Sequence, residues 1–371
     1  MKKLLSIALA SSLTCGVVMA KEIKVGAVMP MSGPLAAYGQ VTNLGLELAH
    51  KQQPTLKNGD TIKIVLLDNK GDKVETANAT TRLISSDKVV AILGALTSTN
   101  TAQAIAIADK KKVPVIASVA TNDKLTARRT FANRVCFTDS FQGEVVANFA
   151  IEQGYKTAVV VIDQAQVYSL GLSKAFQKAF KSKGGKIVKK IKVTSGDKDF
   201  KAVVSQIKKI NPDFMFMPLY HPEASMIARQ SKQLGLDKPM FSGDGVANQT
   251  FIDLGGESVN GYMFTDFFDY SNPPSKTSAD FVAFHEKETG NAEMNSFTAL
   301  GADTYNVLVA AMNRCEDPTN SVCINNEIKK TVDFDGVSGK ISINSEGNAT
   351  RSAVIKEIKD GKAAFKATVN P

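Results

Sequence analysis

The stretch from Val89 to Thr121 limits the possible folds of this chain more than any other part of it. Its two apolar runs, Val89–Leu93 and Val113–Ala117, are rich in β-branched and small residues, a composition typical of parallel strands buried on both faces. A helix is predicted between them, beginning in the hydroxyl and amide cluster at residues 98–101. A strand, a helix and a second parallel strand form a βαβ unit, so the stretch predicts an open parallel α/β sheet.

Polar residues follow both of these strands, at 94–100 and at 118–121. Ligands of open α/β sheets bind outside the carboxyl ends of the strands, where these residues would lie. The free N–H groups and the positive dipole end at the start of the predicted helix favour a carboxylate or a phosphate. The hydroxyl side chains in the two segments are therefore candidates for holding an anion, although such residues also serve simply as helix caps.

Strands and helices alternate along the chain in two series of similar spacing. Each series has about four predicted strands; the first runs from Glu22–Met29 to Arg134–Phe137, and the second from Thr157–Asp163 to residues 239–244. Such alternation predicts doubly wound parallel sheets, and 371 residues are more than a single core usually holds. We predict an α/β fold with two doubly wound parallel-sheet lobes.

The final third of the chain continues with a predicted strand at Gly261–Phe268. Helices are expected near Thr277–Glu288 and Ser296–Cys315, and short strands within Lys340–Phe365. The residues alone do not assign these elements to either lobe.

The first twenty residues, MKKLLSIALASSLTCGVVMA, combine two lysines, an apolar stretch and small residues near their end. This pattern is typical of a secretory signal peptide, and it predicts cleavage after Ala20 and export to the periplasm. A lipoprotein would need a Leu-small-small box before Cys15, which the sequence fits poorly. No later stretch approaches the roughly 20 apolar residues that span a bilayer.

Three cysteines remain after export. Cys315 and Cys323 bracket a short polar loop, whereas Cys136 lies in an apolar run. Because an oxidising compartment permits disulfides, we predict that Cys315 and Cys323 are joined and that Cys136 is a buried free thiol. The three histidines are far apart and no CxxC, HExxH or EF-hand pattern occurs, so no metal site is expected.

The charge and motif content excludes several classes of function. The net charge is +9, but the lysines are scattered along helix faces and the chain has no Trp, which argues against nucleic-acid binding. The GxGxxG, GxxxxGK[ST] and GxSxG motifs are missing, so we expect no nucleotide cofactor and no hydrolase site. An exported two-lobed chain without a nucleophile–base pair favours a binding protein, with an exported enzyme as the alternative.

Five ordered segments resemble the type I periplasmic solute-binding proteins of ABC transporters, most closely the leucine/isoleucine/valine-binding branch. They are Ile23–Gln40, Ile92–Thr101, Pro114–Thr126, Gly196–Phe200 and Tyr220–Asn248. The resemblance runs over nearly all of the mature chain and implies three crossovers between the lobes. It places lobe 1 at residues 21–139 and 267–347, and lobe 2 at residues 140–266 and 348–371.

The resemblance also implies a binding site for an α-amino acid between the lobes. Ser98 would hold the carboxylate of the ligand, and Thr121 would assist both that carboxylate and, with the backbone carbonyl of Val119, the ammonium group. Asp244 would pair with the ammonium, and Tyr220 would be the companion aromatic from the second lobe. Four further residues fall at positions of the side-chain pocket: Tyr38, Leu96, Thr97 and Tyr168.

The implied function is capture of an amino acid, with a branched aliphatic one as the best candidate, and its delivery to an inner-membrane ABC permease by a monomer. Three departures from the branch leave the ligand open: Asp244 replaces a longer Glu, Gly71 and Thr97 replace a cysteine pair, and Asn291–Met294 lacks an aromatic. A short amide or an aromatic acid is the alternative ligand. An acid without an ammonium group would leave Asp244 unpaired.

Residues 346–350, Glu-Gly-Asn-Ala-Thr, form an N-x-T sequon with an acidic residue two positions before Asn348. Some bacterial periplasmic oligosaccharyltransferases require that acid. We predict modification of Asn348 in a host that has such an enzyme; the alternative is an ordinary polar turn.

Overall fold

A computed structural model describes residues 20–371; residues 1–19, which hold nearly all of the predicted signal peptide, lie outside the described residues. The first sheet has five strands in the order β2-β1-β3-β4-β5, and every neighbouring pair is parallel. Its strands are β1 (Glu22–Met29), β2 (Thr61–Asp68), β3 (Ile92–Gly94), β4 (Val115–Ala117) and β5 (Ala132–Arg134). The connecting helices are α1 (Ala36–Gln52), α2 (Lys73–Ser85) and α3 (Ser98–Ala108).

The second sheet begins after α4 (Asp139–Glu152) and is built from the next part of the chain. Its parallel strands are β6 (Thr157–Asp163), β7 (Lys186–Val193), β8 (Phe214–Phe216), β9 (Met240–Ser242) and β10 (Met263–Asp266). The helices between them are α5 (Val167–Ser182), α6 (Lys201–Ile210), α7 (His221–Gln233) and α8 (Gln249–Gly255).

The chain then returns to the first sheet through α9 (Lys276–Thr289), α10 (Ser296–Met312) and α11 (Ser321–Ile328). Helix α10 packs closely against α1 because both carry a glycine at the contact. A Cβ on Gly45 would lie 1.9 Å from the Thr298 carbonyl oxygen, and one on Gly301 would lie 2.1 Å from that of Thr42. The late helices therefore belong with the first sheet, which the residues alone did not predict.

The last five strands form a small sheet and complete the second large one. Strands β11 (Phe334–Gly336), β12 (Gly339–Ile343) and β13 (Ala349–Thr350) pair antiparallel. Strands β14 (Ala353–Lys359) and β15 (Lys362–Val369) extend the second sheet, whose order is β15-β14-β10-β9-β8-β6-β7. The predicted two-sheet α/β fold is confirmed, with two antiparallel edge strands added to the second sheet.

Several strands are shorter than predicted, among them β4, β9 and β10, and two others have displaced ends. Strand β5 ends at Arg134, three residues before the predicted end, because the buried run of residues 135–137 is the crossover to the second sheet rather than part of a strand. Strand β3 begins at Ile92 instead of Val89, since the earlier residues are buried but outside its ladder. An apolar run records burial and does not by itself report strand pairing.

A disulfide joins Cys315, just after α10, to Cys323 in α11, with the two Cα atoms 6.0 Å apart, and Cys136 is a buried free thiol. Asn348 lies in the turn before β13, half buried, with its side-chain oxygen accepting a hydrogen bond from the Thr126 hydroxyl at 2.8 Å. Its modification stays a prediction. Among residues 20–371, no helix is long and apolar enough to cross a membrane.

Candidate functional site

One narrow cavity lies where the ends of β3, β4 and β9 face each other. Its space, including the part open to solvent, is about 260 Å³. Ten residues line it: Tyr38, Leu96, Thr97, Ser98, Val119, Tyr168, Tyr220, Asp244, Gly245 and Phe297. The structure therefore brings together every predicted site residue except Thr121, which is buried but does not line the cavity.

The tight turn at the end of β3 shapes the wall of the cavity that comes from the first sheet. Gly94 has a φ of +123° and a Cβ there would lie 2.2 Å from the Val28 carbonyl oxygen, so only glycine fits. The chain then enters α3, whose N-cap is Thr97, and the Thr97 hydroxyl accepts a hydrogen bond from the Asn100 N–H at 3.3 Å. This turn places Ser98, the first residue of the helix, at the cavity with the positive end of the helix dipole.

The segment after β4 forms the neighbouring part of this wall. Val119 lines the cavity, and the backbone N–H of Asn122 donates to the Ser98 hydroxyl at 3.3 Å. Thr121 is fully buried, and its hydroxyl has no hydrogen-bond partner among the residues that the structure describes. A buried hydroxyl without a partner is uncommon in folded proteins. Burial raises the pKa of the Asp139 carboxyl, and the Thr121 hydroxyl lies close enough to that group to lower this pKa.

The opposite wall carries one buried carboxylate. Asp244 follows β9, and the side-chain amide of Gln142 donates to its Oδ1 at 2.8 Å. Burial raises the pKa of Asp244 to about 7, while the hydrogen bond from Gln142 acts against this rise and the charge of Asp266 adds to it. A carboxylate in such a place favours a cationic partner, because isolated buried charges are costly.

Aromatic rings close the remaining sides of the cavity. The rings of Tyr168 and Tyr220 stack with their centroids 5.1 Å apart, and Tyr38 stacks on Phe297 at 5.5 Å. Burial raises the pKa of each of the three tyrosines well above its ordinary value, so the hydroxyl groups are neutral. The ring faces offer an apolar surface of the kind that receives an aliphatic side chain.

Hydrogen bonds join the two walls directly. The Tyr38 hydroxyl donates to the Gly245 carbonyl and accepts from the His221 N–H at 3.0 Å. At the other end of the cleft, the Thr99 hydroxyl donates to the Gln166 side chain at 2.9 Å and accepts from the Val167 N–H. The structure thus shows the two halves of the site held together, with the cavity largely screened from water.

Sequence reasoning missed two residues that line the cavity. Gly245 contributes its backbone next to Asp244, and the Gly-Asp-Gly pattern around that carboxylate is a signal of close packing that could have indicated it. Phe297 lies at the start of α10 and reaches the cavity only because α10 packs on α1, which no local pattern shows.

A larger groove on the surface lacks this combination of groups. Its space, including the part open to solvent, is about 1160 Å³, and it lies at the amino-terminal ends of β9 and β10, around Leu236 and Tyr262. Within residues 20–371, no group of three His, Cys, Asp or Glu side chains is arranged to hold a metal ion. The cavity with Ser98 and Asp244 is thus the candidate site on chemical grounds, since it offers anion donors and a carboxylate in one enclosed space.

Comparison with known proteins agrees with this interpretation of the fold. The family model described as "Periplasmic binding protein" matches residues 22–363. The Leu/Ile/Val/Thr-binding protein of Salmonella typhimurium is 30% identical over 334 residues, which cover 89% of each chain. Among solved structures, the leucine-binding protein LivK of Thermotoga maritima has 37% identity and a TM-score of 0.92, over 94% of this chain and 99% of its own.

A second solved structure is the branched-chain amino acid transporter substrate-binding protein LivJ of Streptococcus pneumoniae, determined in complex with isoleucine. It has 32% identity and a TM-score of 0.87, over 95% of this chain and 100% of its own.

The two sheets and the cavity between them define a solute-binding protein. The chain belongs to the periplasmic binding protein family, and within it the chain stands close to the branched-chain amino acid binders, as the sequence segments predicted. Its relatives are solute-binding proteins rather than enzymes.

Proposed function

We propose that this protein binds an α-amino acid with a branched aliphatic side chain, leucine, isoleucine or valine, and delivers it to an inner-membrane ABC permease. The observation that carries the proposal is the pairing of Ser98 at a helix start with the buried Asp244 carboxylate on opposite walls of one cavity. An α-amino acid carries the matching anion and cation. The protein would work as a monomer in the periplasm, with no catalytic step.

The α-carboxylate would be received by the Ser98 hydroxyl and the free N–H groups at the start of α3, with the unpartnered hydroxyl of Thr121 in support. The ammonium would pair with Asp244 and donate to the Val119 carbonyl. Such charge-assisted hydrogen bonds are the strong ones, and they also fix the orientation of the ligand.

The side chain of the ligand would lie among the rings and Leu96. The hydroxyl groups of Tyr38 and Tyr168 are engaged with the backbone of residues 221 and 245, so the rings present apolar faces. The names of the relatives, and the isoleucine bound in LivJ, support a branched aliphatic side chain. An aromatic acid would leave the Asp244 carboxylate buried without a cation, which argues against it.

Binding would be coupled to hinge closure, the movement by which periplasmic binding proteins as a class enclose their ligands. The lobes would comprise residues 21–139 with 267–347, and 140–266 with 348–371. A ligand held first by Ser98 on one lobe would draw Tyr220 and Asp244 of the other lobe onto it. The closed form would then be recognised by the permease.

Substitution of Asp244 tests this function. Asp244→Asn keeps the size of the side chain but removes the charge that would pair with the ammonium, at a cost of roughly 2–5 kcal/mol in binding. In titration calorimetry at pH 8 with isoleucine, we expect a dissociation constant on the order of thirty- to several-thousand-fold higher than that of the wild type.

The matched control is Asp253→Asn, which removes the same charge from an exposed position on α8 and should leave the affinity unchanged. If Asp244→Asn binds isoleucine as tightly as the wild type, the ligand is not an amino acid held in this way. A wild-type protein that binds none of the twenty amino acids would also overturn the proposal.

A further inference from the structure

Gln142, on α4, is a wholly buried carboxamide whose only hydrogen bond among the described side chains goes to the site. Its side chain is 0% exposed, its Nε2 donates to Asp244 Oδ1 at 2.8 Å, and its Oε1 has no partner within residues 20–371. Burying a carboxamide with an unpaired oxygen destabilises a fold, whereas an apolar side chain of the same length would fill the space without that penalty. A carboxamide in this position points to a role in the site.

The backbone around Asp244 is shaped to let Gln142 approach. A Cβ on Gly243 would lie 2.5 Å from Gln142 Oε1 and 2.6 Å from the Tyr168 hydroxyl. A Cβ on Gly245 would lie 2.5 Å from the Leu219 carbonyl oxygen. Gly243 thus leaves the space that the Gln142 carboxamide occupies, and Gly245 lets the backbone after Asp244 pack against Leu219 and Tyr168.

We propose that Gln142 is a positioning residue of the ligand site, whose carboxamide holds the Asp244 carboxylate in its place and in its ionised form for the ammonium group of the ligand. The inference rests on the proposed function, because it concerns the same site. Gln142 does not line the cavity and acts through Asp244.

The titratable groups around Asp244 show why a donor is needed there. They come from several elements: Tyr38, Cys136, Asp139, Tyr168, Tyr220 and Asp266. The charge of Asp244 acts on five of them, and the charge of the sixth, Asp266, acts on Asp244. None of these six is a cation, and the buried Lys356 beside Asp266 pairs with Asp266 and Asp269 at 2.9 and 3.1 Å. Burial, and to a smaller extent the charge of Asp266, raise the pKa of Asp244. The hydrogen bond from Gln142 is the larger of the two side-chain hydrogen bonds that lower this pKa, and the other comes from Tyr168.

The test measures the affinity for isoleucine between pH 5.5 and 8.5 in the wild type, in Gln142→Met and in Gln153→Met. Methionine keeps the length of the side chain and removes the donor, and Gln153 is an exposed glutamine at the end of α4, so its variant is the control. Only ionised Asp244 pairs with the ammonium, so the wild-type affinity should fall as the pH drops below about 7.

In Gln142→Met this fall should begin about one pH unit higher, which makes binding about tenfold weaker than wild type at pH 6 and within about threefold of it at pH 8.5. The Gln153→Met profile should overlay that of the wild type. A loss of affinity that is equal at every pH would show a merely structural role and overturn the inference, as would a profile identical to that of the wild type.

A second measurement does not depend on the ligand. In ligand-free protein with ¹³C-labelled aspartate carboxyl groups, Asp244 is assigned by its absence in Asp244→Asn, and its titration is followed by NMR. The midpoint should lie higher in Gln142→Met than in the wild type. If the midpoint of Asp244 is higher in Gln142→Met but no amino acid binds the wild type, the positioning role holds and the proposed function fails. If the midpoint is unchanged, the positioning role fails even where isoleucine binds.

Discussion

Ser98 joins two anion-binding features at a single residue. Its hydroxyl lies at the cavity, and as the first residue of α3 it shares that place with the free N–H groups of the helix. A ligand carboxylate would therefore keep part of its binding partners when the hydroxyl is removed. Asp244, by contrast, is the sole carboxylate that lines this cavity in the described part of the chain, and its loss has no substitute.

Ser98→Ala should accordingly weaken isoleucine binding less than Asp244→Asn does. We expect a cost of about 1–3 kcal/mol, because the helix N–H groups remain to hold the carboxylate. Titration calorimetry under identical conditions measures it, with Ser86→Ala, an exposed serine at the end of α2, as the control. If Ser98→Ala loses more affinity for isoleucine than Asp244→Asn does, Ser98 contributes more to binding than Asp244, which contradicts this prediction.

The burial of Asp244 also predicts how the ligand-free protein responds to pH. Its pKa is about 7 in the folded state against 3.8 for an ordinary aspartate, so the folded form binds the proton more tightly than the unfolded form does. The ionised carboxylate therefore lowers the free energy of unfolding. This effect is absent below about pH 4, where Asp244 is protonated in both states, and complete above about pH 7. Asp139 contributes in the same direction, because burial raises its pKa well above the ordinary value.

Without ligand, Asp244→Asn should therefore be more stable than the wild type at pH 8, by an amount on the order of 4 kcal/mol. The two proteins should approach equal stability near pH 4, where the wild-type carboxyl is protonated. Urea unfolding at pH 8 and at pH 4 measures the difference in the free energy of unfolding between the two proteins. If this difference is the same at pH 8 and at pH 4, the pKa of Asp244 is not raised in the folded protein.

At the scale of elements, the short helix α11 depends on a covalent link to its neighbour. The disulfide between Cys315 and Cys323 closes a loop of sequence separation 8 between the end of α10 and the first turn of α11. The helix has only eight residues, with Asn320 as its N-cap, and so short a helix is marginal without tertiary support.

Removal of this link should destabilise the protein by about 2–3 kcal/mol, the loop-entropy value for so short a loop. The double variant Cys315→Ser/Cys323→Ser should unfold at lower urea concentration than the oxidised wild type, and reduction of the wild type should give the same shift. Reductant should leave the variant unaffected, since Cys136 is a buried free thiol. Peptide mapping that finds Cys136 cross-linked would contradict this pairing.

At the scale of the whole molecule, the first sheet uses the residues that directly follow the predicted cleavage site. The backbone N–H of Lys21 donates to the Asp60 side chain at 2.8 Å, its carbonyl accepts from the Thr61 N–H, and β1 begins at Glu22. The first sheet thus makes use of the chain from Lys21 onward.

N-terminal sequencing of the exported protein should accordingly begin at Lys21. Cleavage there leaves β1 intact and removes the apolar leader. Intact mass measurement is the check on the same sample, and a lipid-modified Cys15 as the first residue would contradict the prediction.

The sequence alone predicted the α/β class, the number of large sheets and the polar segments that end at the candidate cavity. These follow from local patterns: alternating strands and helices, and the polar segments that end buried strands such as β3 and β4. The resemblance to the family added the roles proposed for the site residues, among them Tyr38, Tyr220 and Asp244, which lie far apart in the chain. What they have in common is a position at the end of a strand or the start of a helix, which a one-dimensional pattern can record.

Only the tertiary structure decided the contacts between distant elements. Phe297 reaches the cavity because two glycines let α10 lie against α1, and Gln142 meets Asp244 across a separation of 102 residues. Thr121 is predicted from its segment, yet whether its hydroxyl lines the cavity depends on the packing behind β4. Local sequence patterns report which side of an element is buried, whereas the partner that covers it is set by the free energy of packing the whole chain.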